Sequence, residues 1–313
     1  MTVVAAIVGA TATGKSAAAL DVAPRLGAEI VSIDSMQVYR GMDIGTDKPP
    51  AEARGRVRHH LLDLWPPEHE LTVAEFQIAA RGAIAAISGR GGLPLLVGGS
   101  GLYYRAVVDD LSFRPRSPEV RSALEQEATR PGGPSRLFAR LERLDPVAAR
   151  RVGSANVRRV VRALEIVKVS GEPGGGYERW RSYDSIYTLR VAGLSLDRDI
   201  LYQGIERRVD RMLAAGLIEE VRRLAVEGLG STARQALGYR QILEAPHSAP
   251  GELRDAIVRA TKRFARRQES WFRADPRVVW FDASEPELTA RLVAFFSEAD
   301  KAVAPPGAVT WKP

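Results

Sequence analysis

The octapeptide Gly9-Ala10-Thr11-Ala12-Thr13-Gly14-Lys15-Ser16 constrains this chain more than any other stretch. Its spacing is Gly, four residues, then Gly-Lys-Ser. The apolar run Val3-Val4-Ala5-Ala6-Ile7-Val8 precedes it and reads as a buried strand. The run from Ala17 to Ala23 follows and suits a helix. Strand, glycine loop and helix in that order make a phosphate-binding loop. Glycines let the backbone curl so that its N–H groups converge on phosphate oxygens. The N-terminus of the following helix adds partial positive charge. Lys15 supplies a full charge, and Ser16 carries a hydroxyl of the kind that holds Mg²⁺ beside a phosphate.

A second strand, Ala28 to Ile33, delivers Asp34-Ser35-Met36-Gln37 at its carboxyl end. In open α/β sheets ligands bind beyond the carboxyl ends of the strands. Asp34 is therefore expected to face the same crevice as Lys15. Residues 38–72 read as mixed and loop-rich. A helix is predicted from Thr72, with Glu75 completing a capping box. Its apolar positions Val73, Phe76, Ala80, Ile84 and Ile87 keep helical spacing. Leu93 to Val97 is a third buried strand, ending in Gly98-Gly99-Ser100-Gly101. Strands alternating with helices predict an α/β fold: a P-loop NTPase-like core whose parallel sheet is flanked by helices.

The character changes near Pro115. From there to about residue 171 the pattern is helical and arginine-rich, broken at Arg130-Pro131-Gly132-Gly133-Pro134. Glu172-Pro173-Gly174-Gly175-Gly176 reads as a linker. Strand character returns over Thr188 to Leu194. Amphipathic helices are predicted over Asp199 to Ala214 and Leu217 to Val226. A long basic helix spans Leu253 to Arg273, and Val278 to Phe281 is a short closing strand. The expected layout is a core over 1–114, a helical insertion over 115–185, the rest of the core over 186–300 and a disordered tail over 301–313.

The chemistry of the phosphate site can be narrowed. A kinase or nucleotide hydrolase needs a strand-end carboxylate for Mg²⁺ besides the loop hydroxyl. The third predicted strand ends in glycines and a serine, so Asp34 is the one strong candidate. Beside a phosphate site it can accept a proton from an acceptor group, or it can cap a turn. The chain has no cysteine, which excludes thiolate metal sites and cysteine nucleophiles. His59-His60 with Asp63 does not complete a three-ligand metal set, so a structural or pocket-lining role is expected. The net charge is +7. Arg259, Lys262, Arg263, Arg266, Arg267 and Arg273 recur at three- and four-residue steps, as an RNA-facing helix requires, though a plain solvated face reads the same way. Phe264 and Trp271 are seven apart and are expected in the core. The N-terminal apolar run is too short to span a bilayer and lacks a basic flank, so a cytoplasmic protein without a membrane segment is expected.

Seven ordered motifs together resemble the tRNA dimethylallyltransferase (tRNA isopentenyltransferase) family, in its bacterial form. They are the phosphate loop at 9–16, Asp-Ser-Met-Gln-Val-Tyr-Arg at 34–40, Asp43-Ile44-Gly45-Thr46 with Lys48-Pro49, and His59 to Asp63. Leu96 to Tyr103, Asn156-Val157-Arg158-Arg159 with Arg162 to Glu165, and Ala236 to Gln241 with the later Arg266-Arg267-Gln268 and Trp271-Phe272 complete the match. Ala10 stands where the family usually has proline, and Ser100 where it often has threonine.

The resemblance implies transfer of a dimethylallyl group from dimethylallyl diphosphate to N6 of the adenosine 3′ of the anticodon, in tRNAs reading codons that begin with U. Residues Gly9, Ala10, Thr11, Ala12, Thr13, Gly14, Lys15 and Ser16 would then bind a diphosphate leaving group, with Mg²⁺ at Ser16. Asp34, Thr13 and Arg208 take the family's catalytic positions. Asp34, Ser35, Met36 and Gln37 match the segment that reads the target base. Ser100, Arg121, Asn156, Arg158, Arg159, Gln235, Gly238, Tyr239, Arg240, Arg266, Arg267, Gln268, Trp271 and Arg273 match tRNA-contacting positions, which makes the insertion tRNA-binding. A monomer acting on tRNA, without an obligate protein partner, is expected. The phosphate loop alone leaves open a kinase of a small molecule or nucleotide, or a non-catalytic RNA-binding switch.

Overall fold

The computed structural model describes residues 1–113, 116–171 and 182–298. The predicted linker at 172–176 and the tail after Ala302 lie outside them. Two compact units emerge. One comprises Met1–Asp109 and the chain from Ser185 on; the other is Asp110–Asp184.

The first unit is built on a six-stranded sheet. Its strands are β1 (Val3–Gly9), β2 (Ala28–Ser32), β3 (His59–His60), β4 (Leu93–Gly98), β5 (Thr188–Ser195) and β6 (Val278–Asp282). The order is β3-β2-β4-β1-β5-β6, and every pairing is parallel. β1 is central, with Ile7 opposite Val97 on one side and Ala192 on the other. Buried on both faces, β1 must be apolar at successive positions, and it is. Val4, Ala6 and Val8 enter one cluster with Phe76, Tyr104 and Phe272. Ala5 and Ile7 enter the other with Ala19, Val22 and Phe281. The period of two in the strand thus supplies two cores from one heptapeptide.

The helices of this unit are α1 (Lys15–Val22), α2 (Ala51–Arg56), α3 (Val73–Gly89) and α4 (Gly101–Val108) before the second unit. After it come α9 (Arg198–Ala214), α10 (Leu217–Glu227), α11 (Tyr239–Glu244), α12 (Pro250–Arg273) and α13 (Leu288–Ser297). The predicted capping box is formed: Thr72 Oγ1 accepts from Glu75 N at 3.1 Å, and Glu75 Oε2 from Thr72 N at 2.8 Å. Two expectations need correction. The stretch 38–72 contains α2 and β3, so the predicted third strand is the fourth. β3 is two residues long, too short for its sequence to show alternation. The Phe264–Trp271 stripe is also not core: Trp271 is 42% exposed, and the buried face of α12 runs through Ile257, Thr261, Ala265, Gln268 and Phe272.

The second unit holds α5 (Pro118–Thr129), α6 (Gly133–Leu144), α7 (Pro146–Val152) and α8 (Val157–Ser170). Their small core is Leu124, Leu137, Leu141, Ala148, Ala149, Val160, Val161, Ala163 and Leu164. Ser117, Asp145 and Asn156 each accept an N–H in the first turn of α5, α7 and α8. A core of nine residues has little redundancy. Leu137→Ala is expected to destabilise this unit by about 2–5 kcal/mol. Hydrogen exchange should then rise over 116–171 while the β1 and β4 amides stay protected.

Candidate functional site

The phosphate loop is shaped by two residues in the left-handed region, Ala12 at φ 65° and Gly14 at φ 82°. Alternating backbone handedness turns successive N–H groups into one concavity. Gly9, at φ 142°, is required for a further reason: a Cβ there would lie 2.5 Å from the Leu194 carbonyl oxygen. Within the loop the Ala10 carbonyl accepts from Thr13 Oγ1 at 2.9 Å and from Lys15 Nζ at 2.5 Å. Ala10 itself packs with Leu201, Ile205 and Ala265, so α9 and α12 form its floor.

β2 ends two residues before Asp34. Asp34 Oδ1 accepts from Met36 N at 2.8 Å, which turns the chain back over the sheet. Ser32 Oγ donates to Gln37 Oε1 at 2.8 Å, and Gln37 Nε2 donates to the Thr46 carbonyl at 3.1 Å. The Gln37 side chain is thus fixed from both ends of its amide.

A cavity of about 980 Å³ joins these segments. It is lined by Thr11, Ala12, Gly14, Lys15 and Ser16, by Asp34 to Gln37, and by Ser100. Arg208, Gln235, Gly238, Arg240, Arg267, Gln268 and Trp271 complete the expected residues on its wall, with Arg207, Arg211, Arg263 and Phe264 added. The charges interact. Burial, reinforced by Arg208, lowers the Lys15 ammonium to about 7, while Asp34 opposes the shift. Burial raises the Asp34 carboxyl above its ordinary value, against the Met36 amide, Arg208, the Gln37 amide and Lys15. Arg208 is held by Asp47 Oδ2 at 2.5 Å.

Several expected residues sit elsewhere. Thr13 is 2% exposed and spends its hydroxyl on Ala10, so it frames the loop and does not face the cavity. Tyr239, expected at an RNA surface, is fully buried, and its hydroxyl donates to Glu220 Oε1. Gln268 is on the wall but 6% exposed, with both ends of its amide bonded within the protein. Arg266 is exposed on α12 off the cavity wall, and Arg273 pairs with Glu269 and lies over the Trp280 ring. Arg121, Asn156, Arg158 and Arg159 belong to the second unit. There Asn156 caps α8, Arg121 bonds Glu125 at 2.9 Å, and Arg158 and Arg159 are exposed.

His59 lines the cavity with Nδ1 donating to the Val57 carbonyl at 2.7 Å, and burial lowers its pKa. His60 pairs with Glu29. Asp63 takes Lys48 and Arg54. The histidine motif is therefore scaffold and lining, and among the described residues no three His, Cys, Asp or Glu side chains group as a metal site.

Sequence reasoning missed the carboxylate that organises this wall. Glu220 accepts from the backbone N–H of Asp43 at 2.9 Å, Ile44 at 2.8 Å and Gly45 at 3.1 Å, besides the Tyr239 hydroxyl. Lys48 Nζ closes the same loop through Tyr39 O, Asp43 and Asp63. In sequence Glu220 is one of three glutamates on an amphipathic helix, and nothing distinguishes it from its exposed neighbours.

A parallel sheet with a phosphate loop at the end of its central strand is the P-loop-type α/β fold. The sequence profile of the IPP transferase family matches residues 37–275, and that of isopentenyl transferases residues 2–65. The tRNA dimethylallyltransferases of Streptomyces avermitilis and Acidothermus cellulolyticus are 50% and 51% identical over 291 and 290 residues. These alignments cover 91% of this chain and 92% and 90% of the relatives. The tRNA isopentenylpyrophosphate transferase of Bacillus halodurans superposes with a TM-score of 0.68 at 38% identity, covering 95% of this chain and 97% of that one. A eukaryotic dimethylallyltransferase solved acting on tRNA shares the fold, with a TM-score of 0.78 at 24% identity over 94% of this chain and 78% of that one. The chain belongs to the IPP transferase family, with the tRNA dimethylallyltransferases.

Two outcomes follow from the geometry. Glu220→Leu strands three partly buried N–H groups and the buried Tyr239 hydroxyl, and is expected to cost about 2–5 kcal/mol, read from the denaturant midpoint. The second concerns Lys15. A bound polyanion favours the ammonium form, so its pKa rises from about 7 on binding. Corrected for the ligand's own titration, diphosphate binding should take up more protons at pH 8 than at pH 5.5. Affinity should fall as pH rises above 7. Calorimetry in buffers of different ionisation heat reads the proton count.

Proposed function

We propose that this cavity transfers the dimethylallyl group of dimethylallyl diphosphate to the N6 amine of the adenosine 3′ of the anticodon, in tRNAs reading UNN codons. N6-isopentenyladenosine and diphosphate are the products. The observation that carries this reading is the junction, in one cavity, of the phosphate loop with Asp34-Ser35-Met36-Gln37. Its volume exceeds what a five-carbon diphosphate fills and leaves room for a base.

The donor's diphosphate lies along the amides of residues 12–16, with Lys15 and Arg208 as its counter-charges. As the allylic C–O bond breaks, its electron pair moves to the diphosphate oxygen. These groups then hold more charge than in the ground state, which is where they lower the barrier. The N6 lone pair forms the new C–N bond, and the amine proton passes to Asp34. Burial has already raised the basicity of that carboxylate. A stacked base cannot reach this position, so the target adenosine is flipped out of its stack into the cavity. Gln37, fixed at both ends, supports Ser35 and Met36 along the base. Gln235, Gly238 and Arg240 with Arg267 and Trp271 supply cationic and stacking surface for RNA. Arg121, Arg158, Arg159, Arg266 and Arg273 add positive charge for its backbone.

A divalent cation fits the donor set. The Ser16 hydroxyl opens onto the cavity at the head of α1, and Mg²⁺ takes one or two protein oxygens together with phosphate oxygens and water. When bound it would neutralise charge on the departing diphosphate. A monomer is the proposed state, and among the described residues no helix is long and apolar enough to cross a membrane. The cytoplasm, where tRNA is found, is the proposed site of action.

Incubation with dimethylallyl diphosphate, Mg²⁺ and an unmodified tRNA whose anticodon ends in A should add C5H8 to the tRNA mass. Consumption of ATP without that gain would mark a kinase instead. Asp34→Asn is expected to lower kcat by roughly 10²–10⁴-fold with tRNA affinity retained. In the unaltered protein the acid limb of kcat/KM should lie above the pH expected of an ordinary aspartate, since only the ionised carboxylate accepts the proton.

A further inference from the structure

α12 carries exposed cations on one side and the floor of the phosphate loop on the other. Arg263, Arg267 and Trp271 face the cavity mouth, while Ala265 packs under Ala10. Between these two faces lies Gln268. Its Oε1 accepts from Thr11 N at 2.9 Å, and its Nε2 donates to the Gly99 carbonyl at 2.9 Å. One amide therefore ties the loop after β1 to the loop after β4. The fit is close. A Cβ on Gly99 would stand 2.1 Å from Gln268 Nε2 and 3.0 Å from the Gly9 carbonyl oxygen, so the glycine is needed to admit the side chain.

We propose that Gln268 is a positioning residue for the phosphate loop, and that it does not read RNA. Its acceptor holds the Thr11 N–H out of the concavity, which leaves the amides from Ala12 onward to converge on the ligand. Each end of the amide is bonded within the protein and the residue is only 6% exposed, so its polar atoms serve the fold before they serve a base. This places a diphosphate determinant inside a run, 266–273, whose other polar members are exposed or partly exposed. The proposal rests on the reading of the cavity as a joint diphosphate and RNA site.

Gln268→Met keeps length and volume and removes both hydrogen bonds. Binding of inorganic diphosphate with Mg²⁺ should weaken roughly tenfold. KM for dimethylallyl diphosphate should rise by a similar factor, with affinity for an anticodon stem–loop RNA within twofold of the unaltered chain. Arg267→Ala should show the reverse split: weaker RNA binding and unchanged diphosphate affinity. A Gln268→Met protein that binds diphosphate normally and loses RNA would overturn the proposal. The unaltered chain gives a second test that does not depend on a variant folding. The Thr11 amide should exchange slowly in the free protein, held by Gln268. Exchange as fast as an open loop amide would count against the proposal. If the unaltered protein binds RNA but no diphosphate, the reading of the cavity itself falls, and the positioning role with it.

Discussion

Everything at this site depends on holding a phosphate loop in a shape that its own backbone resists. Ala12 sits in the left-handed region at a cost of about 1 kcal/mol, and Lys15 is kept as a cation only with difficulty. The surrounding chain over-determines the loop. Thr13 and Lys15 close on the Ala10 carbonyl, Gln268 takes the Thr11 amide, and Leu201, Ile205 and Ala265 press on Ala10. The packing at Ala10 also bears on the proline that the family usually has there. A small apolar side chain satisfies the floor, and the flanking hydrogen bonds supply the restraint that a proline ring would give to φ.

The same economy governs the opposite wall. Asp43-Ile44-Gly45-Thr46, Lys48, Asp63 and Tyr239 look in sequence like separate marks of one family. In the fold they are one joint. Glu220 gathers three successive backbone amides and a phenol, Lys48 gathers two carboxylates and a carbonyl, and Gly45 lets Tyr239 approach. The joint carries Asp47, which holds Arg208, and the Thr46 carbonyl, which holds Gln37. Arg208 and the segment around Gln37 are thereby supported by a single loop of a few residues. Residues that read in sequence as separate motifs thus serve one geometry in the fold.

Much of this was legible beforehand. The phosphate loop is local: its glycines, its lysine and the flanking strand and helix lie within twenty residues, so backbone preference and apolar pattern declare it. Asp34 could be placed because strand ends in a parallel sheet converge on one edge. The capping box, the basic helix and the helical middle of the chain are likewise short-range patterns. What was not legible shares a cause. Thr13, Tyr239 and Gln268 carry polar groups that suit a ligand as well as a protein partner, and a polar atom in a sequence does not state which protein groups it bonds in the fold. Phe264 and Trp271 were assigned to the core because seven-residue spacing marks a face without saying whether that face is buried.

The sequence by itself determined the parallel α/β class, the phosphate-binding loop, the candidate aspartate and the family, because each is written in local spacing or ordered motifs. Only the tertiary structure decided which polar side chains turn inward. Glu220 meets its amide partners across about 175 residues of chain, and Gln268 meets Thr11 across 257. Burial of a polar group is stable only when its partners are present. That condition is a property of the assembled fold and not of any segment.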